Sequence, residues 1–250
     1  MDSGLYAAYS GLLARTQALD LAANNLANVG TSGYRAGRES FQGALAEAGG
    51  VSGSQVGGAV NNFGVLGGSS LSTAQGQLNS TGNPLDLAIQ GAGFFALQTP
   101  NGIRYTRDGE FQVSQAGQLV TKDGAQVLNA AGQSITVPSG SVKVAPDGTV
   151  SVATAEGSAV VGRVAVMDLG PGGAVAAEGN TLYKAADAAT PTVTTNSSIQ
   201  QGAVEGSNED AIHGTMQLIL MQRQAEMMQR ALTTFHNDFD KTATEEISRV

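Results

Sequence analysis

A chain of 250 residues can bury a substantial core in one large domain or two modest ones. Its 34 glycines, 5% aromatic content, lack of Trp and 14% charged content at a net charge of −8 exclude a bulky aromatic core and the basic stripe of a phosphate-backbone binder. The absence of Cys removes disulfides, zinc-thiolate sites and thiol nucleophiles.

The chain opens Met1-Asp2-Ser3-Gly4, without the cationic and apolar regions of a secretory signal. Any export is therefore expected to follow a route that needs none. Leu5 to about Asn28 is predicted to be helical, about 24 residues and roughly 36 Å long. Leu5, Leu12, Leu19 and Leu26 fall seven apart, and Tyr9, Thr16 and Ala23 precede three of them by three residues. These are the d and a positions of a coiled-coil seam, with Leu at every d. The pattern stops at Val29-Gly30-Thr31-Ser32-Gly33, where glycine offers left-handed conformations. Asn24, Asn25 and Asn28 carry amides at this helix end and are expected to satisfy backbone groups at the bend.

Residues 43 to 82 are rich in Gly, Ser, Gln and Asn and keep no period of 3.6 or 2, which predicts an extended connector with at most short strands. From Pro84 to about Leu169, short alternating apolar runs are separated by Asn101-Gly102, Asp108-Gly109, Asp123-Gly124 and Asp147-Gly148. Such pairs supply the positive φ of tight hairpin turns, so an antiparallel β domain is expected. The stretch from Pro171 to Gln201 carries no clear pattern. Ser207 and Asp210 then make a capping-box-like start to a second helix. Its stripe is Ile212, Met216, Leu220, Met227, Ala231, Phe235 and Phe239, and the four Met residues between 216 and 228 give it adaptable packing. No run of about 18 apolar residues occurs, so no membrane span is expected.

Candidate chemistry is thin. Gly91-Ala92-Gly93 resembles a dinucleotide loop but lacks the third glycine and precedes a strand, which makes it a tight turn. His213 and His236, the only histidines, lie more than six turns apart on one helix and have no ligand-spaced neighbour. Asp108, Asp123 and Asp147 read as turn formers. A carboxylate pair in the β domain would need only spatial proximity, so a secreted β-rich enzyme or adhesin stands as the alternative to a structural subunit. No catalytic, cofactor-binding or metal residue is assigned.

The two terminal helices could pair within one subunit, pack on the β domain, or pack against other subunits; the last arrangement builds open helical polymers when rotation does not close a ring. A resemblance bears on this choice. Asn24-Asn25-Leu26-Ala27-Asn28-Val29-Gly30-Thr31-Ser32-Gly33-Tyr34-Arg35 closely resembles the signature of flagellar axial proteins. Thr81-Gly82-Asn83-Pro84-Leu85-Asp86-Leu87-Ala88-Ile89-Gln90-Gly91 with Gly93-Phe94-Phe95, then Tyr105-Thr106-Arg107, and later Gly179-Asn180-Thr181-Leu182-Tyr183, are similar to the β-domain motifs of rod and hook proteins. Gln201-Gly202-Ala203-Val204-Glu205-Gly206-Ser207-Asn208 continues the match, as does Gln222-Arg223. Val204 and Glu209 depart from the family's usual Leu and Val, which puts the packing at the start of the last helix in question.

The resemblance implies a structural subunit of the bacterial flagellar basal-body rod. The opening residues and the total length are nearest to proximal-rod members, with distal-rod members the close alternative. It implies no enzymatic activity and no cofactor. Partners would be copies of the chain, other rod proteins and the flagellar type III export apparatus, with assembly in the periplasmic space. The expected fold is α+β: N- and C-terminal helices pairing as a coiled-coil-like helical domain, with a central antiparallel all-β domain inserted between them. Residues 1–35 with 203–250 would form the helical polymerisation domain, 36–82 the connector and 83–202 the β domain. Subunit packing is expected at Leu5, Tyr9, Leu12, Leu19, Leu26, Ile212, Met216, Leu220, Met227 and Phe235. The motif and helix-end positions are Asn24, Asn25, Asn28, Thr31, Gly33, Tyr34, Ser207, Asn208 and Asp210.

Overall fold

The computed structural model describes residues 2–42, 65–154, 157–170, 175–179, 181–186, 190–194 and 196–247. Helix α1 (Asp2–Ala27) is followed by β1 (Gly37–Gln42) and β2 (Val65–Leu71), which pair with each other. The next strands are β3 (Leu78–Ser80), β4 (Leu87–Gln90), β5 (Phe94–Thr99), β6 (Gly102–Thr106), β7 (Phe111–Val113), β8 (Leu119–Thr121) and β9 (Gln126–Val127). They are followed by β10 (Ser141–Val144), β11 (Thr149–Thr154), β12 (Gly157–Arg163), β13 (Val166–Asp168), β14 (Val175–Gly179), β15 (Leu182–Ala185) and β16 (Thr192–Val193). Strands β17 (Ser198–Gln201) and β18 (Ala203–Glu205) precede helix α2 (Ala211–Ile247).

The chain forms two compact units. One comprises Met1–Leu26, Gly37–Ser69 and Ala211–Val250; the other comprises Ala27–Ala36 and Ser70–Asp210. The second is the β unit. Its largest sheet runs β14-β15-β6-β5-β9-β8-β7, with β13 joining β5 to β16. β10-β11-β12 make a three-stranded antiparallel sheet, and β17 pairs with β4 and β18 with β3. Strands of two to seven residues suit a sequence in which only two or three alternating apolar side chains separate successive turns.

The core forms where those alternating residues meet. Leu87, Ile89, Phe95, Leu97, Val127, Ile135, Val150 and Val164 are essentially inaccessible, and the Phe95 and Phe111 rings meet edge-on at 5.2 Å. Three of the four Asx-Gly pairs turn as expected: Gly102, Gly124 and Gly148 have φ of 98°, 83° and 88°, the left-handed region that glycine enters without a Cβ penalty. Asp108-Gly109 does otherwise. Gly109 keeps negative φ space and lies against the Leu87 carbonyl, which a Cβ would strike, so glycine is required there for close backbone approach.

The terminal helices do not pair as a coiled coil. On α1 the buried apolar side chains among the described residues are Ala14, Ala18 and Ala22, whereas Tyr9 is 58% exposed and Leu12, Leu19 and Leu26 are half-buried. On α2, Ile212, Met216, Leu220 and Met227 are all more than half exposed. Knobs-into-holes packing needs both stripes turned towards each other and buried, and the expected stripes are not the buried faces. The lengths also mismatch: α1 has 26 residues and α2 has 37, so about 17 Å of α2 would lie beyond a matched partner. A seven-residue leucine spacing satisfies one side of a seam only. The alanine line beside it admits closer approach, and α1 turns that line inward. The side chains of Leu5, Phe235 and Phe239 lie outside the described residues.

Candidate functional site

Each helix has a short exit segment, and the polar residues of both segments converge. At the end of α1, the Asn25 side chain makes a reciprocal pair with one backbone unit: Nδ2 donates to the Gly37 carbonyl and the Gly37 amide donates to Oδ1, both at 2.9 Å. An amide is the one side chain that can mimic a strand neighbour in this way. The chain then turns, with the Thr31 amide donating to the Asn28 carbonyl at 3.1 Å and the Thr31 hydroxyl to Asn28 Oδ1 at 3.2 Å. Asn24 is exposed on the last turn of α1.

Beyond this turn, residues 32–36 run into the β unit. Gly33 has φ of 70° and a Cβ there would fall on the Asp108 amide, so both conformation and space require glycine. Its amide donates to the Glu205 carbonyl at 2.7 Å. The Ser32 hydroxyl donates to Glu110 Oε1 at 2.7 Å, and Glu110 is also paired with Lys122. The Arg35 amide donates to the Tyr183 hydroxyl at 2.9 Å, which in turn donates to the Gly33 carbonyl at 3.4 Å.

At the centre are three buried charges. Glu205, only 1% exposed, accepts from Arg35 Nη2 at 2.9 Å and from Arg107 Nη1 at 2.8 Å, and both arginines are 3% exposed. Glu205 Oε1 also accepts the Gly76 amide at 2.9 Å. Arg107 Nη2 donates to the Gly91 carbonyl at 2.7 Å, and its guanidinium lies 5.3 Å from the centre of the Phe94 ring. Burial lowers both guanidiniums. Arg107 falls to about 10, with Glu205 opposing the shift and the like charge of Arg35 adding to it; Arg35 moves the same way for the same first cause. Arg107 stays protonated at neutral pH. Burial also pushes the Tyr183 hydroxyl up to about 12, which keeps it a neutral donor. A hydrogen-bonded buried carboxylate shared by two guanidiniums is strongly destabilised if one partner is removed, so the cluster acts as a lock.

The exit towards α2 uses the same lock. Glu205 ends β18 and Asn208 follows. The Asn208 Oδ1 accepts the Ala36 amide at 2.7 Å, and its Nδ2 donates to the Ala74 carbonyl at 2.8 Å and the Ser72 carbonyl at 3.2 Å. Its backbone amide donates to the Tyr34 carbonyl at 3.3 Å. Tyr34 is half-buried, and burial beside Glu209 raises its hydroxyl. Ser207 Oγ accepts the Glu209 amide at 3.2 Å, and Asp210 stands immediately before the first residue of α2.

Of the residues singled out from the sequence, Asn28, Thr31, Gly33, Tyr34, Ser207 and Asn208 gather in the β unit. Asn25 clamps the start of β1 instead, while Tyr9, Ile212, Met216, Leu220 and Met227 lie exposed along the helices. Arg35, Arg107, Tyr183 and Glu205 were not singled out, although each stands inside a quoted motif. The available signal was charge: a chain with 14% charged residues that places Arg and Glu inside otherwise neutral strand motifs has a buried use for them. Among the described residues, no group of three or more His, Asp or Glu side chains is arranged to hold a metal ion, and no helix is long and apolar enough to cross a membrane.

A β scaffold that grips the exit segments of two long terminal helices through one buried triad defines a structural subunit. Comparison with known proteins gives the family. Residues 5–35 match the family described as flagella basal body rod protein, and residues 88–152 match the flagellar hook protein FlgE/F/G D1 domain. The chain is 33% identical to the flagellar basal-body rod protein FlgF of Caulobacter vibrioides, over the full length of both. It is 35% identical to FlgF of Mesorhizobium japonicum, over 89% of each chain. With the rod protein FlgG of Bacillus subtilis the identity is 32%, over 94% of this chain and 95% of the relative. The chain belongs to the flagellar basal-body rod protein family and is a structural rod subunit.

Proposed function

We propose that the chain is a proximal-rod subunit that polymerises through the exposed apolar side chains of its two helices and has no enzymatic activity. The observation that carries this is where large apolar side chains face solvent: Tyr9 and Leu13 on α1, and Ile212, Met216, Ile219, Leu220 and Met227 on α2. An exposed stripe of that extent on a long helix marks a docking face. Leu5, Leu12, Leu19, Leu26 and Phe235 complete the set assigned to subunit packing. The partners are further copies of this chain and other rod proteins, reached through the type III export apparatus. Similarity to FlgF of two organisms, over the full length of one and 89% of the other, favours the proximal rod, and similarity to FlgG over 94% of this chain keeps the distal rod as the second reading.

Copy number separates these readings. Quantitative mass spectrometry of purified basal bodies is expected to find this chain at a small fraction of the most abundant rod subunit. Finding it to be the most abundant subunit would assign it to the distal rod, and its absence from intact basal bodies would overturn the proposal. In the same preparation, Leu220→Asp is expected to abolish incorporation while the isolated chain keeps its β-sheet circular dichroism.

A further inference from the structure

The buried triad is not electrically balanced. Arg35 and Arg107 together carry two positive charges and Glu205 one negative charge, all at 3% exposure or less. Among the described residues, Glu205 is the carboxylate in ion-pair contact with both guanidiniums. Hydrogen bonding is also incomplete: Arg35 Nη1 and Arg107 Nε are buried without an acceptor. Buried guanidinium N–H groups without acceptors, and a surplus buried charge, are both costly.

Beside the two arginines the surface opens into a cleft of about 70 Å³, with Arg35, Ser72, Ala92, Gly93, Arg107 and Asp168 in its walls. One ordered water needs on the order of 10–15 Å³ of such space, so the cleft has room for more than one water-sized group. Water there would leave the charge unmatched. Of the wall residues, Ala92 is exposed and brings only a methyl group to the cleft. The one acidic wall residue, Asp168, is exposed and engages the Gly170 amide at 2.9 Å.

We infer that this cleft is a binding site for a single carboxylate group, held by the surplus charge of Arg35 and Arg107. The group is either a small free carboxylate or an acidic side chain of another copy. The chain has 21 acidic residues against 13 Lys and Arg, so each copy can supply one. Guanidinium–carboxylate pairing is charge-assisted and directional, and it supplies the missing negative charge next to the lock that holds both helix exits.

Sodium acetate titrated into the full-length chain, with the Arg35 and Arg107 guanidinium ¹⁵N–¹H resonances as the readout, tests the site. Saturable shifts of both residues are expected. Ala92→Leu, an exposed position whose larger side chain closes the entrance, is expected to abolish them. Asp168→Asn, which removes a repelling charge from the wall, is expected to tighten acetate binding roughly three-fold. A linear, unsaturable drift identical in the wild type and Ala92→Leu would be salt screening over a hydrated cleft and would overturn the proposal. Weaker binding in Asp168→Asn would overturn it independently, even if Ala92→Leu failed to fold. In assembled polymer, resonances already at the acetate-bound position assign the carboxylate to a neighbouring copy, and resonances that still titrate assign it to free anion.

Discussion

Replacing Glu205 by Gln tests the lock most directly. The substitution keeps shape and one carbonyl oxygen but removes the carboxylate charge paired with Arg35 and Arg107, contacted at 2.9 and 2.8 Å. It also turns an NH2 group towards one of two guanidiniums that can only donate. Breaking a buried ion pair by removing one partner costs about 3–5 kcal/mol. A unit of this size loses roughly 2–4 °C for each kcal/mol, so a fall in Tm of roughly 10 °C is expected. The assay is urea unfolding followed by tyrosine fluorescence, since the chain has five Tyr and no Trp. Tyr34, Tyr105 and Tyr183 report from the β unit. The midpoint should drop with little change in slope. Adding Arg35→Gln to Glu205→Gln should cost less than the sum of the two single changes, because the two residues share one interaction. A loss below about 1 kcal/mol for Glu205→Gln, comparable to an exposed ion pair, would refute the claim that the triad is a lock.

Gly33→Ala places a Cβ on the Asp108 amide at a φ of 70°. It is expected to destabilise the β unit by about 3 kcal/mol or more, and calorimetry of the purified chain measures this. Tyr183→Phe removes the hydroxyl that links the Arg35 amide to the Gly33 carbonyl. The cost should be about 1–3 kcal/mol, and hydrogen exchange at the Arg35 amide should speed up. Asp108 is raised to about 6, first by burial, above its usual 3.8. A raised carboxyl binds its proton more tightly in the folded state. Its contribution is therefore fully present below about pH 4 and is lost as pH rises through about 6. Asp108→Asn should stabilise the chain at pH 7 by about 1 kcal/mol and remove part of the stability change between pH 4 and 6, read from Tm across that range.

Much of this protein was legible without coordinates because local chemistry set it. The Asx-Gly turns at 101–102, 123–124 and 147–148 are local φ requirements, and strand length followed from the distance between them. Helix α2 followed from apolar periodicity, and the axial signature from Asn24 to Arg35 identified the family. The coiled-coil expectation failed for a reason that lies outside one helix. A leucine repeat shows that a stripe exists, and whether it is buried depends on which neighbouring face packs first. On α1 that is the line of Ala14, Ala18 and Ala22.

The sequence by itself determined the two terminal helices, three of the four Asx-Gly turns and the family, since each rests on residues within a few positions of one another. Tertiary structure alone decided that Arg35, Arg107, Tyr183 and Glu205 meet, across separations of 22 to 170 positions in the chain. No residue pattern encodes that a strand-end glutamate will be the shared acceptor of two distant arginines. It becomes so because Gly33 and Gly109 let three backbone segments approach closely enough to exclude water. Once water is excluded, the charges can be satisfied only by each other.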